Sequence, residues 1–432
     1  MMAPESTAMQ KVTFFFPYYE VSGVPMLFSR IAAHLGASGR TVRVVDYPDG
    51  AMAVRLRGAR GVELVPFADG RPLSIAADEV LVLQAILPYC LRPELRIATT
   101  TKLLFWTLHP GCLLQTAIPH PALRDLQLRS QHFHVIASAV TMPLLQGRLR
   151  RFVEDLVHRQ ALLFMDGETL AITRDRLRAA IPHPRFVPVP CDPAQGNRYL
   201  ASARSHAGER VVGWLGRLSD FKIHILIHTL QRLSRFTRLR GMRVTFVVIG
   251  DGPEAHRIDI DGLQHECFRI EMAGVVTGAA LEGRLGSLDL LTAMGTSALE
   301  GARLGVPTVL LDISHSPVHG DYLFRWLHDT HDFILGEILQ KRHMTTGNDS
   351  LERIMDSLSE RWRELSTRTY NYFQANHSLE VVSTQVWAAA AQTGYTYGNI
   401  DQRLLRKSFS RRLYEFLRGV LQKRRPLARG LP

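Results

Sequence analysis

Val211-Val-Gly-Trp-Leu215-Gly216-Arg217-Leu218-Ser219-Asp220-Phe221-Lys222 reads as a strand that runs into a glycine turn and then into the start of a helix. The apolar run 211–215 lacks polar alternation, as expected of a strand covered on both faces. Two cations follow, Arg217 leaving the strand and Lys222 entering the helix. They can converge on one doubly charged group, the guanidinium as a bidentate fork and the ammonium as a point charge. The same residues also fit a solvated surface loop.

Working outward, this unit is one of two of the same kind. In the second half, further apolar runs fall at 244–249, 268–272, 288–291 and 308–311, with helical patterns between them. In the first half they fall at 12–16, 41–45, 62–66, 80–83, 103–108, 162–165 and 186–189, with a helix over 24–35. Strands separated by helices rather than hairpins imply parallel sheets with crossover helices. The expected fold class is therefore α/β, with two Rossmann-like domains joined near 204–208 and a C-terminal helical extension. The boundaries read as 9–205, 206–350, 351–398 for helices that cross back to the first domain, and 399–432 for a tail. In such sheets ligands bind beyond the carboxyl ends of the strands.

Three further segments carry candidate chemistry. Val247-Val-Ile-Gly250-Asp-Gly252-Pro253 is a strand entering a glycine turn, where Gly250 and Gly252 permit close backbone approach to a ligand. Gly295-Thr296-Ser297 opens a helix whose free N–H groups and dipole favour a phosphate. Glu300 then falls about one turn in, toward sugar or ribose hydroxyls, although a glutamate there also complements the helix dipole alone. In the first half, Leu103-Leu-Phe-Trp-Thr-Leu-His109-Pro110 places a histidine after an apolar strand, a place equally suited to a structural imidazole. Asp166-Gly167-Glu168, at another strand end, could face the acceptor but reads first as a turn.

Gly216-Arg217 with Lys222, then Gly250-Asp-Gly-Pro253, then Glu300 with Gly305-Val-Pro307, resemble in order and spacing glycosyltransferase family 4 and its GT-B relatives. The resemblance covers 211–312 well and the first half loosely. It implies a GT-B fold of two facing Rossmann-like domains. It also implies that Arg217 and Lys222 hold the donor diphosphate, with Glu300 on the nucleotide ribose. Ala273-Gly-Val275-Val276 matches the family segment beside the base, Ser22-Gly23 its glycine loop, and His109 a histidine near the reacting sugar. Where family members carry a second glutamate, eight residues before the ribose one, this chain has Thr292. The resemblance thus carries diphosphate binding but not the donor-sugar contact.

The implied activity is transfer of a sugar from a nucleotide-diphosphate donor to a glycan or lipid-linked acceptor, in the setting of bacterial surface-polysaccharide assembly. Retention of configuration is the outcome the family favours. Cations and a helix terminus can stabilise the leaving diphosphate without a metal or other cofactor, and no acidic DxD pair stands at a strand end. The alternatives are a GT-B nucleotide-sugar epimerase and a catalytically silent GT-B binding protein.

Composition agrees with a soluble, two-domain chain. It has 432 residues, 46% hydrophobic and 21% charged. The four cysteines (Cys90, Cys112, Cys191, Cys267) are scattered, which suits a reducing compartment and no zinc site. The start lacks a signal-peptide pattern and no apolar run spans a bilayer, so a cytoplasmic place is expected. Of the net charge of +12, ten Lys/Arg against two acids from Ile400 onward give +8. Leu404, Leu405, Phe409, Leu413, Phe416, Leu417, Val420 and Leu421 recur there at helical spacing. A basic amphipathic helix of this kind suits the anionic inner face of a membrane, and less well a docked terminal helix or nucleic acid.

Overall fold

The computed structural model describes residues 11–113, 143–194, 208–339, 349–406, 412–413 and 416–417. The chain divides into two compact units, one of Met1–Val187 with Ser383–Pro432, the other of Pro188–Val382. The expected linker at 204–208 lies, but for Gly208, outside the described residues, as does most of the 399–432 tail.

The first unit begins with β1 (Lys11–Phe15), α1 (Gly23–Ala37), β2 (Val42–Asp46), α2 (Ala51–Arg55) and β3 (Val62–Pro66). It continues with β4 (Leu73–Ile75), β5 (Glu79–Gln84), β6 (Leu95–Ile97) and β7 (Lys102–Thr107). Then come α3 (Pro143–His158), β8 (Leu162–Phe164), α4 (Gly167–Leu177) and β9 (Arg185–Phe186). The main sheet runs β3-β2-β1-β5-β7-β8-β9, and every pairing in it is parallel. Strands β2 and β5 are buried at every position, which explains their unbroken apolar character. Helix α1 follows the apolar spacing of 24–35 and buries Leu27, Phe28, Ile31, Ala32 and Leu35.

The second unit holds β10 (Glu209–Leu215), α5 (Ile223–Arg240), β11 (Arg243–Ile249), α6 (Ile260–Leu263) and β12 (Phe268–Gly274). After these come α7 (Gly278–Gly286), β13 (Leu290–Ala293), α8 (Thr296–Ala302), β14 (Thr308–Leu310) and β15 (Arg325–Trp326). The sheet order is β12-β11-β10-β13-β14-β15, parallel except for the antiparallel β14–β15 pair. Helix α9 (Leu351–Asn376), with non-helical backbone at Arg361, packs its Trp362 and Ser366 onto the carbonyls of Asp289 and Gly305.

Helix α10 (Leu379–Gln392) contains the Val382/Ser383 division and carries the chain back into the first unit. There Thr393 Oγ1 donates to Leu103 O at 2.7 Å, Leu103 N–H donates to Tyr395 O, and the Tyr395 ring packs against Phe105 and Phe152.

Two sequence readings are corrected. Strands β4, β6 and β15 are additional; with three, three and two residues they are too short to show a period. The run 288–291 is displaced, because β13 begins at Leu290. Leu288 is apolar because its side chain lies over Gly213, where a Cβ would stand 2.4 Å from it.

Candidate active site

In each sheet the chain order reverses once, between β1 and β5 in the first unit and between β10 and β13 in the second. A crevice opens beyond the carboxyl ends at such a reversal. Leu215 at the end of β10 pairs with Ala293 at the end of β13. The Gly216–Lys222 loop and the Gly295–Thr296 turn therefore leave the sheet side by side.

Arg217 is exposed and Lys222 half-buried. The Lys222 Nζ stands over the Phe221 ring, 5.7 Å from its centre, and 3.6 Å from where a Cβ on Gly216 would be. Neither cation forms an ion pair among the described residues. Burial holds the Lys222 amine below the usual lysine range, since desolvation disfavours the charged form and no carboxylate offsets it.

The Gly250-Asp-Gly252 turn has a role its sequence does not reveal. Leu218 N–H donates to Asp251 O at 3.0 Å, Gly216 N–H to Ile249 O at 3.0 Å, and Glu254 N–H to Leu218 O at 3.2 Å. A Cβ on Gly250 would meet Gly216 O at 2.1 Å, and one on Gly252 would meet Leu218 O at 2.2 Å. The backbone that closes on these glycines is the Arg217 loop itself. Val275 follows β12 and is 75% exposed, an apolar side chain set at the carboxyl edge.

Gly295 has φ 61° and ψ −146°, backbone open in practice to glycine alone, and caps α8. Its N–H donates to Leu335 O at 2.7 Å, while Thr296 is exposed at the helix start. Glu300 is half-buried and already engaged. Its Oε2 accepts from Arg303 Nε at 2.8 Å, and its Oε1 accepts a 3.5 Å contact from Cys191 Sγ. Arg303 in turn binds Glu282 at 2.5 Å and Pro193 O at 3.2 Å. Thr292 is buried inside β13, with Oγ1 donating to Gly213 O at 2.9 Å. Its hydroxyl is spent on the neighbouring strand.

Sequence reading missed Arg303 and Cys191. The i, i+3 spacing of Glu300 and Arg303 on one helix was an available signal for the first. Nothing local marks Cys191, which reaches Glu300 only through the fold.

In the first unit, Gly23 is the first residue of α1, and beyond its chain neighbours and its own helix backbone no described atom lies within 4 Å of where its Cβ would be. His109 is exposed two residues beyond β7, and its Nδ1 accepts the Gly111 N–H at 3.0 Å. That bond places the proton of a neutral ring on Nε2. Asp166 caps α4 by accepting the Thr169 N–H at 2.8 Å, and burial pushes its carboxyl up to about 6. Among the described residues, no group of three or more His, Cys, Asp or Glu stands close enough to hold a metal ion. Among them also, no helix is long and apolar enough to cross a membrane.

Two Rossmann-like units with parallel sheets and C-terminal helices returning to the first unit are the GT-B architecture. The chain is similar in structure to a glycosyltransferase from Rickettsia africae, with 9% identity and a TM-score of 0.52, covering 93% of this chain and 100% of that one. It is also similar to the N-terminal domain of trehalose-6-phosphate phosphatase from Candida albicans, with 12% identity and a TM-score of 0.50, covering 91% and 99%. The two differ in named activity, so the likeness is one of fold. No protein-family model and no curated protein sequence matches the chain. The family 4 resemblance therefore rests on the quoted motifs.

Proposed function

We propose that this protein is a glycosyltransferase that binds a nucleotide-diphosphate sugar through its second unit and passes the sugar to a glycan or lipid-linked acceptor. The observation that carries this is Lys222, a half-buried ammonium with no carboxylate partner among the described residues, on the same loop as Arg217 at the sheet's reversal point. A desolvated cation without a counter-ion is costly unless a ligand supplies the anion.

In the reaction, an acceptor hydroxyl oxygen bonds to the anomeric carbon as the bond from that carbon to the diphosphate oxygen breaks. The leaving diphosphate takes the electron pair and, on its oxygen, the proton that the acceptor hydroxyl gives up. Negative charge grows on the diphosphate, where Arg217 and Lys222 offer preformed countercharge. On this reading Glu300, its Oε2 fixed by Arg303, accepts the ribose hydroxyls. The buried Thr292 leaves the donor sugar to be read by other groups.

The test is calorimetric titration of the full chain with UDP, GDP and ADP. Wild type is expected to bind at least one, and Arg217→Ala and Lys222→Ala to bind it about tenfold or more weakly, with unchanged melting temperatures. Wild-type affinity in both variants, or no binding to any of the three, overturns the assignment.

A further inference from the structure

The first unit carries an aromatic column that no step above uses. Phe15 ends β1, Tyr47 follows β2 and Phe67 follows β3, so three adjacent parallel strands each deliver a ring to the same carboxyl edge. Phe15 meets Phe67 edge-on at 5.5 Å, and Tyr47 meets Phe67 at 5.5 Å and 70°. On top, Tyr19 lies flat on Tyr47, 4.3 Å between centres and 8° between planes. Phe15 and Phe67 are nearly inaccessible and Tyr47 is 7% exposed, whereas Tyr19 is 63% exposed. A buried stack thus ends in one open ring.

The open ring is firmly held. The buried Asp46 carboxylate accepts the N–H groups of Tyr18 and Tyr47 at 2.8 Å, of Met52 at 2.9 Å and of Ala53 at 3.2 Å. Tyr18 O also accepts the Ala51 N–H at 2.8 Å. These bonds fasten the loop after β1 to the loop after β2, and a ligand would find Tyr19 already ordered.

The surroundings of the ring select its occupant. Glu20, the next residue in the chain, is exposed and accepts from the Tyr18 hydroxyl at 3.3 Å. Asp69 accepts from the Tyr47 hydroxyl at 3.0 Å, with Arg92 4.0 Å away. A pyranose ring presents C–H groups on one face and hydroxyl donors around its edge. It matches an open ring face on a stack whose lower ring carries the Tyr47 hydroxyl and, bonded to it, the Asp69 carboxylate. An alkyl chain makes no use of the Asp69 carboxylate or the Tyr47 hydroxyl.

We infer that Tyr19 is the floor of a subsite for a neutral sugar ring of the acceptor, with Glu20 and Asp69 accepting its hydroxyls. This inference rests on the glycosyl-transfer reading above, and it specifies a carbohydrate ring rather than a bare lipid as the part of the acceptor that is gripped.

Saturation-transfer NMR and titration of the full chain with methyl glycosides of glucose, galactose, mannose and N-acetylglucosamine test the inference. At least one is expected to bind, with saturation strongest at the C–H protons of one ring face. Tyr19→Leu keeps Tyr47 covered but removes the flat ring, and is expected to weaken binding roughly tenfold, the scale of one stacked ring. Tyr19→Phe is expected to bind as wild type. Absence of binding by all four glycosides, undiminished binding by Tyr19→Leu, or Tyr19-dependent binding of uridine instead overturns the inference. The nucleoside diphosphate titrations separate the two readings: UDP, GDP or ADP binding with no glycoside binding removes the subsite and leaves the donor site standing. Tyr19-dependent glycoside binding with no nucleotide binding does the reverse.

Discussion

Lys222 loses water on folding without gaining a carboxylate among the described residues, and its chemistry should reveal that. Burial lowers its pKa, so as pH rises it gives up its proton earlier than an ordinary lysine. Affinity for a nucleoside diphosphate is therefore expected to fall as pH rises, beginning below the usual lysine range. Lys222→Arg keeps its charge throughout, so its affinity should stay flat over the same alkaline limb. Titration of both proteins from pH 7 to pH 10 (roughly the span up to an ordinary lysine pKa) measures this, and parallel curves would detach Lys222 from the anion. The chain positions of both cations, one after a strand and one at a helix start, were legible in the sequence, and a solvated surface loop fitted them equally well. The contacts of Arg303 with Glu282 and of Glu300 with Cys191 were not legible, since only the fold brings residues 191 and 282 to that helix.

At the scale of elements, the Gly250–Gly252 turn and the Arg217 loop form one braced structure. Gly252→Ala places a methyl group where Leu218 O lies 2.2 Å away, a backbone atom that cannot rotate aside. The loop must shift, at a cost on the order of 1–3 kcal/mol. The variant is expected to lose nucleotide affinity as well as stability. Chemical denaturation and calorimetry on one preparation will show both, and an unchanged affinity would mean that the brace does not position Arg217. The turn was visible as a Gly-Asp-Gly sequence, but its partner was not: glycine announces close approach without saying what approaches. Leu288 teaches the same lesson, since an apolar residue beside a strand looks like part of it until the packing over Gly213 is seen.

Across the whole molecule, the two units should respond to acid with opposite sign. In the second unit burial holds His328 down to about 3 and His377 down to about 4, against an ordinary 6.5. His328 stacks on Trp326, and Asp329, 3.9 Å away, is paired with Arg368 at 2.7 Å. His377 bonds Val189 O at 2.8 Å between the rings of Tyr372 and Phe333. Below pH 6.5 the unfolded chain binds protons that these folded histidines refuse. Stability then falls by about 1.4 kcal/mol per pH unit for each. Asp166 in the first unit behaves the other way. Its folded value of about 6 lies above the ordinary 3.8, so between those limits folding takes up a proton and gains stability as pH drops. Hydrogen exchange from pH 7 down to about pH 4 is expected to show α9 losing protection before α4. Earlier loss in α4 would refute this, and His328→Gln should flatten the acid response of α9.

By itself the amino-acid sequence determined the α/β class, the succession of most strands, and the two cations poised at a strand exit. Each of these follows from local chemistry: apolar runs that demand cover on both faces, glycines at turns, and charges of fixed spacing. The tertiary structure alone decided the sheet orders that put the Arg217 loop beside Gly295, and the burial of Lys222 with no ion-pair partner among the described residues. It alone turned Thr292 into the sheet, brought Glu282 to Arg303 and Cys191 to Glu300, and raised an aromatic column under Tyr19. These depend on residues far apart in the chain, and the free energy of a contact is set by which groups share a space once water is gone. No local pattern in the sequence carries that information.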